Sequence, residues 1–164
     1  MNLNKLMSIM TTALTLSLSI NVQAATTTGN FQTNAVMNAS CSVSTWIPIW
    51  FGNITNGSTI YTANEPFNVK CTKGTPWTVS VSSGNGTVDN RYMLGKTKGD
   101  KLYYNLYTST SYTTIYGDAT AGTVQLVGTG NGANQYNLLE AKMLSGQWVT
   151  PDVYEDNITI TVSY

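Results

Sequence analysis

An all-β sandwich is the fold class this chain predicts, and three observations predict it. No segment past residue 24 carries a long helical period. Apolar and polar residues alternate instead in short runs rich in Val, Ile, Thr and Tyr, as strands with one buried face do. Gly, Asn, Asp or Pro punctuates those runs, as tight turns require.

The first 24 residues read as a removable export signal. Lys5 is the only charge before Glu65 and stands just ahead of an apolar run from Leu6 to Ile20. Val22, Gln23 and Ala24 then place small residues where a signal peptidase reads, so cleavage is expected between Ala24 and Ala25. Ser and Thr interrupt the run before about 18 clean apolar residues accumulate, which argues against a retained span. After signal removal no membrane insertion is expected. The chain holds eight basic and eight acidic residues, and the leader takes Lys5 with it, leaving a net charge of −1. A nearly neutral surface without a basic run argues against nucleic acid and anionic membranes as partners.

The first expected strand covers residues 28–37, with Phe31, Thr33, Ala35 and Met37 on one side. Residues 40–51 follow, broken by Pro48, which belongs at an edge or bend. Past a turn at 53–58, Pro66 opens a run in which Phe67, Val69 and Cys71 share a face. Trp77, Val79 and Val81 alternate with Thr78 and Ser80, and the alternation favours core packing for Trp77. Residues 96–101 form a charged hairpin tip, and Leu102, Tyr104 and Leu106 then line one face of the next strand. Residues 115–118 make a short edge piece before strands starting at Val124 and Tyr136. The last strand puts Tyr154, Ile158, Ile160, Val162 and Tyr164 inward. It ends with nothing left to cover its neighbouring edge, while 28–37 is a strand to spare. One missing and one spare strand point to a subunit completed by its neighbour.

Cys41 and Cys71 are the only cysteines, and an even count in an exported chain reads as one disulfide. Such a loop of about 30 residues is worth roughly 3–4 kcal/mol in the chain-entropy picture.

Catalysis finds little support. The chain has no histidine, so a Ser-His-Asp or Cys-His arrangement is impossible. Glu155 and Asp156 are the one adjacent acidic pair, but neighbouring strand residues point to opposite faces, and they read as solubilising turn charges. Asp89, Asp100 and Asp118 lack calcium-loop spacing and read as turn caps. Residues 128–132, Gly-Thr-Gly-Asn-Gly, have no following helix or Lys-Ser/Thr pair, so they read as a hairpin turn and not a phosphate cradle. No cofactor and no metal are expected. Trp46 and Trp50 flank Pro48 in an irregular stretch where they can be exposed, and Trp148 joins them as a candidate for sugar stacking.

The mature chain resembles the spore-coat-protein-U family, which includes pilin subunits of the archaic chaperone–usher pathway. The resemblance rests on a Thr-rich extension ending in NASCSV, then FGNI and FNVKCTKGTPWTVSVSSG. LYYNLYTSTSYTTIYGD, GTG and the closing GQWVTPDVYEDNITITVSY complete it. It implies an incomplete immunoglobulin-like β-sandwich of six strands, lacking the last, with residues 1–24 as signal, 25–38 as donor-strand extension and 39–164 as pilin domain. It further implies assembly by donor-strand exchange, with a periplasmic chaperone, an outer-membrane usher and neighbouring pilins as partners and the cell-surface pilus as destination. Carried onto this chain, the donor residues are Phe31, Thr33, Ala35 and Met37. The acceptor strand presents Ile158, Ile160, Val162 and Tyr164, and Cys41–Cys71 is the family disulfide. Such a pilin supports adhesion and biofilm formation and is not an enzyme. The alternative is a self-sufficient secreted carbohydrate-binding or coat sandwich.

Overall fold

The computed structural model describes residues 22–55 and 59–164. Most of the expected signal, residues 1–21, and the turn residues 56–58 lie outside them. The chain divides between Ala35 and Val36. Residues 22–40 carry no secondary structure. The expected strand at 28–37 is therefore absent from the single chain: alternation supplies a face, but a strand also needs a ladder partner.

Nine strands occur among the described residues, and every ladder between them is antiparallel. They are β1 (Cys41–Thr45), β2 (Thr62–Cys71), β3 (Pro76–Val81), β4 (Arg91–Gly95) and β5 (Lys101–Tyr107), followed by β6 (Leu126–Thr129), β7 (Gln135–Met143), β8 (Tyr154–Glu155) and β9 (Ile160–Ser163). One sheet has the order β1-β2-β7-β5-β4-β8, the other β6-β3-β9. The core lies between them. Phe67 and Val69 of β2, Trp77, Val79 and Val81 of β3, and Leu102, Tyr104 and Leu106 of β5 are buried there with Leu139, Ala141 and Met143 of β7. These are the inward sets that period-2 alternation predicts.

Nine strands instead of six have local causes. The expected final strand is two: β8 pairs with β4 in the first sheet, and β9 pairs with β3 in the second. The chain crosses between sheets at Asp156, whose carboxylate accepts the Tyr104 hydroxyl (2.8 Å), Asn85 N–H (2.9 Å) and Asn157 N–H (2.8 Å). Asp156 is thus a structural acceptor, not the solubilising turn charge the sequence indicated. Burial, with the Asp156 hydrogen bond second, pushes the Tyr104 phenol well above its ordinary value. β4 is hidden in the sequence because it starts with a charge. Arg91 is nevertheless fully buried, donating to Ser82 O (2.9 Å), Val88 O (2.7 Å), Val81 O (3.3 Å) and Asn105 Oδ1 (3.1 Å). Four acceptors satisfy the fork, as a buried guanidinium needs.

Pro66 sits inside β2, just past the last β1–β2 pair, Thr45 with Phe67. β2 has an open edge there, where a missing N–H is tolerated. Gly128 faces Trp77 across β3 and β6; a Cβ there would lie 2.2 Å from the indole ring. The glycine-rich run is therefore partly strand, with glycine chosen to admit a core tryptophan.

Candidate functional site

β9 is an edge strand. Its ladder to β3 runs from Ile160 opposite Val81 to Ser163 opposite Thr78, and Ser82 N–H to Thr159 O (2.9 Å) extends it one step. No strand pairs with its other edge among the described residues. β1 likewise pairs with β2 alone, and β1 and β9 lie against each other across the two sheets. Two edges with no second strand partner among the described residues thus lie side by side, and the apolar seam between them is the candidate groove.

The side chains along the groove are apolar and only half covered. Ile158, Ile160 and Val162 of the β9 segment pack against the core, as do Cys41 and Val43 of β1, yet all five are partly exposed. Val79 and Val81, one strand inward, are fully buried. The layer is the same and so is the chemistry; β3 has a strand on either side, whereas β9 has β3 alone among the described residues. Tyr164 lies one residue past β9 and is 62% exposed. An edge of this kind presents unpaired N–H and C=O groups beside apolar side chains, a template for an added strand.

The disulfide fixes one end of the groove. Cys41 and Cys71 are direct cross-strand partners with Cα atoms 4.1 Å apart. Gly130 packs beside this bridge, where a Cβ would meet Thr72 O at 2.4 Å and the Cys71 Cβ at 2.7 Å. Just before β1, Thr72 N–H bonds Ser40 O (2.9 Å) and Thr72 Oγ1 donates to Asn38 O (3.4 Å). The chain is therefore tied to the sandwich from Asn38 onward. Upstream, Phe31 is 96% and Met37 85% exposed. Thr33 and Ala35 are exposed between them.

At the opposite end β1 gives way to residues 46–55, whose Ile49, Phe51 and Ile54 pack on the core; Phe51 meets the Tyr104 ring edge-on at 5.9 Å. This segment and residues 147–154 border an open cleft of about 430 Å³. Trp50 and Trp148 line it while remaining 73% and 77% exposed. Three of its polar side chains, those of Gln147, Thr150 and Asp152, are committed within the protein. Gln147 accepts the Tyr103 N–H and donates to Tyr103 O and Leu144 O. Thr150 donates to Asp100, and Asp152 accepts from Thr97 and Lys98. The two bonds from Thr150 hold the Asp100 carboxyl below its ordinary range; those from Thr97 and Lys98 do the same for Asp152. Among the described residues no cluster of acidic or sulfur side chains could hold a metal ion.

The family described as the Spore Coat Protein U domain matches residues 27–161. Among solved structures, a similar one is the CsuC–CsuE chaperone–tip adhesion subunit pre-assembly complex from archaic chaperone–usher Csu pili of Acinetobacter baumannii. The likeness has a TM-score of 0.55 at 18% identity, spans 77% of this chain and 40% of the other, and concerns the fold. No curated protein matches the chain.

Proposed function

The chain belongs to the Spore Coat Protein U domain family, and from that premise we propose that it is a structural, non-enzymatic subunit of a surface pilus built by the chaperone–usher pathway. The single observation that carries this reading is the half-covered apolar groove between the free edges of β1 and β9. In this reading residues 1–24 direct export, residues 25–38 are the donor extension and residues 39–164 the accepting domain. A periplasmic chaperone first fills the groove. At an outer-membrane usher, Phe31, Thr33, Ala35 and Met37 of the next subunit replace it, seating against Ile158, Ile160, Val162 and Tyr164. The added strand satisfies the edge backbone groups while alternate side chains fill the groove, a mode in which pilin complementation is itself a standard example. Because each subunit receives one strand and gives another, the contact is head-to-tail and yields a filament on the cell surface. Such filaments support adhesion and biofilm formation.

The test compares the chain from residue 25 with one starting at residue 39. The longer form gives multimers that survive on unboiled gels; the shorter stays monomeric and binds a peptide of residues 28–37. Stable monomers in both preparations would favour a self-sufficient secreted domain.

A further inference from the structure

We propose that the Trp50–Trp148 cleft is the seat for the disulfide end of the next copy of this chain. The inference rests on the donor-strand reading and adds the surface on which successive bodies meet.

The argument is one of direction and reach. β1 leaves the disulfide end at Cys41 and runs toward the cleft end, reaching Thr45 just before residues 46–55. β3 begins beside the turn that follows Cys71, and β9, antiparallel to it, runs back from Val81 toward Thr78. The groove therefore stretches from the disulfide to the cleft, with Ile158 at its cleft end. An incoming strand that extends β9's own sheet antiparallel to β9 continues the sense of that sheet's ladders, the more stable pairing per residue, while it runs parallel to β1 across the seam. In that direction Phe31 meets the Tyr164 end and Met37 meets Ile158.

Met37 then leaves the donor's body almost no slack. The next residue, Asn38, is one Cα step of about 3.8 Å away, and Asn38 is already bonded to Thr72 of its own sandwich. The turn at Thr72 is thereby brought against the cleft end of the preceding subunit. That turn carries Lys73, an exposed cation. Exposed tryptophan faces accept a cation, and large aromatic rings are the residues that anchor interfaces. The occupant is thus a second copy, entering by its 72–75 turn, and Trp50 and Trp148 are the exposed rings it meets.

Fibres assembled from the full chain carrying both Lys73→Cys and Trp148→Cys, treated with a short bismaleimide, test this. The expected result is a covalent ladder resistant to boiling in the double variant and none in either single variant. A ladder in Lys73→Cys alone would mean that like ends meet, in the parallel direction, and would overturn the seat. Fibres without any ladder would overturn it too, while leaving donor-strand exchange standing; absence of fibres in the unsubstituted chain would overturn both. As a second readout, Trp50→Ala with Trp148→Ala should speed fibre dissociation by about tenfold or more. The thermal midpoint of the unassembled subunit should stay in place, since both rings are exposed. An unchanged dissociation rate would contradict the seat.

Discussion

The two long sides of the sandwich are built from similar strands yet end in opposite ways. On one side residues 115–124 lace the sheets together. Tyr116 N–H bonds Leu106 O in the first sheet (2.9 Å), Gly117 O accepts Val81 N–H in the second (3.0 Å), and Gly117 N–H reaches Val124 O (2.8 Å). Tyr116 is buried. On the other side β1 and β9 leave their edges free and Ile160 and Val162 half covered. The closed side spends its backbone groups within the chain, and on the open side no strand pairs with the outer edges of β1 and β9 among the described residues. Stability should therefore be concentrated on one side and binding on the other.

The largest effect expected on the closed side comes from Arg91→Leu. It strips donors from Ser82 O, Val81 O, Val88 O and Asn105 Oδ1. Buried acceptors left unpaired cost about 1–3 kcal/mol each, so a loss of more than about 3 kcal/mol is expected in urea denaturation. Next is the bridge at the groove's end. Reducing Cys41–Cys71 should cost roughly 3–4 kcal/mol in the same assay, because the unfolded chain regains the freedom of a loop of about 30 residues. Gly117→Val should cost about 1–3 kcal/mol as overpacking: its Cβ would sit 2.3 Å from Thr123 Oγ1, and Thr123 is itself buried.

The open side should respond the other way. Val162→Asp leaves the lone subunit within about 1 kcal/mol of its original stability, since the position stays half solvated. Once a strand covers it, the carboxylate is buried unpaired. Affinity for the 28–37 peptide, read by calorimetry, should fall by more than about 100-fold. Equal losses of stability and affinity would erase the contrast between the sides.

Acidity gives the smallest and broadest effect. Hydrogen bonds from Thr150, from Thr97 and Lys98, and from Thr120 depress the carboxyls of Asp100, Asp152 and Asp118 below their ordinary 3.8. A depressed folded pKa contributes stability above the unfolded value and loses it as the pH falls below. The thermal midpoint should therefore drop below about pH 4. With no histidine in the chain, it should be flat from about pH 5 to 8.

The inward faces of β3, β5 and β9 were legible because apolar residues alternate along each, and so was Trp77 as a core residue; β7 was legible as a strand but not by its face, since Leu139, Glu140 and Ala141 are buried in succession. The pairing of Cys41 with Cys71 was legible from count and compartment alone. Other features depend on distant partners and leave no local trace. Arg91 reads as surface until four acceptors from three segments surround it. Asp156 reads as a turn charge until Tyr104 reaches it across 52 residues. The residues at 115–118 were visible as an edge piece, but not as the lacing between sheets. That Ile158, Ile160 and Val162 share a face packed on the core was readable from alternation; the convergence of Trp50 and Trp148 on one cleft was not, because nearly a hundred residues of chain separate them.

Hydrogen exchange at β9 tests the central claim most directly. In the chain starting at residue 39, amides of Ile160–Ser163 that face away from β3 should exchange freely and become protected when the 28–37 peptide is added. The same peptide with Phe31→Asp and Met37→Asp should protect nothing. Protection already complete without peptide, or peptide-induced protection confined to other strands, would contradict the account.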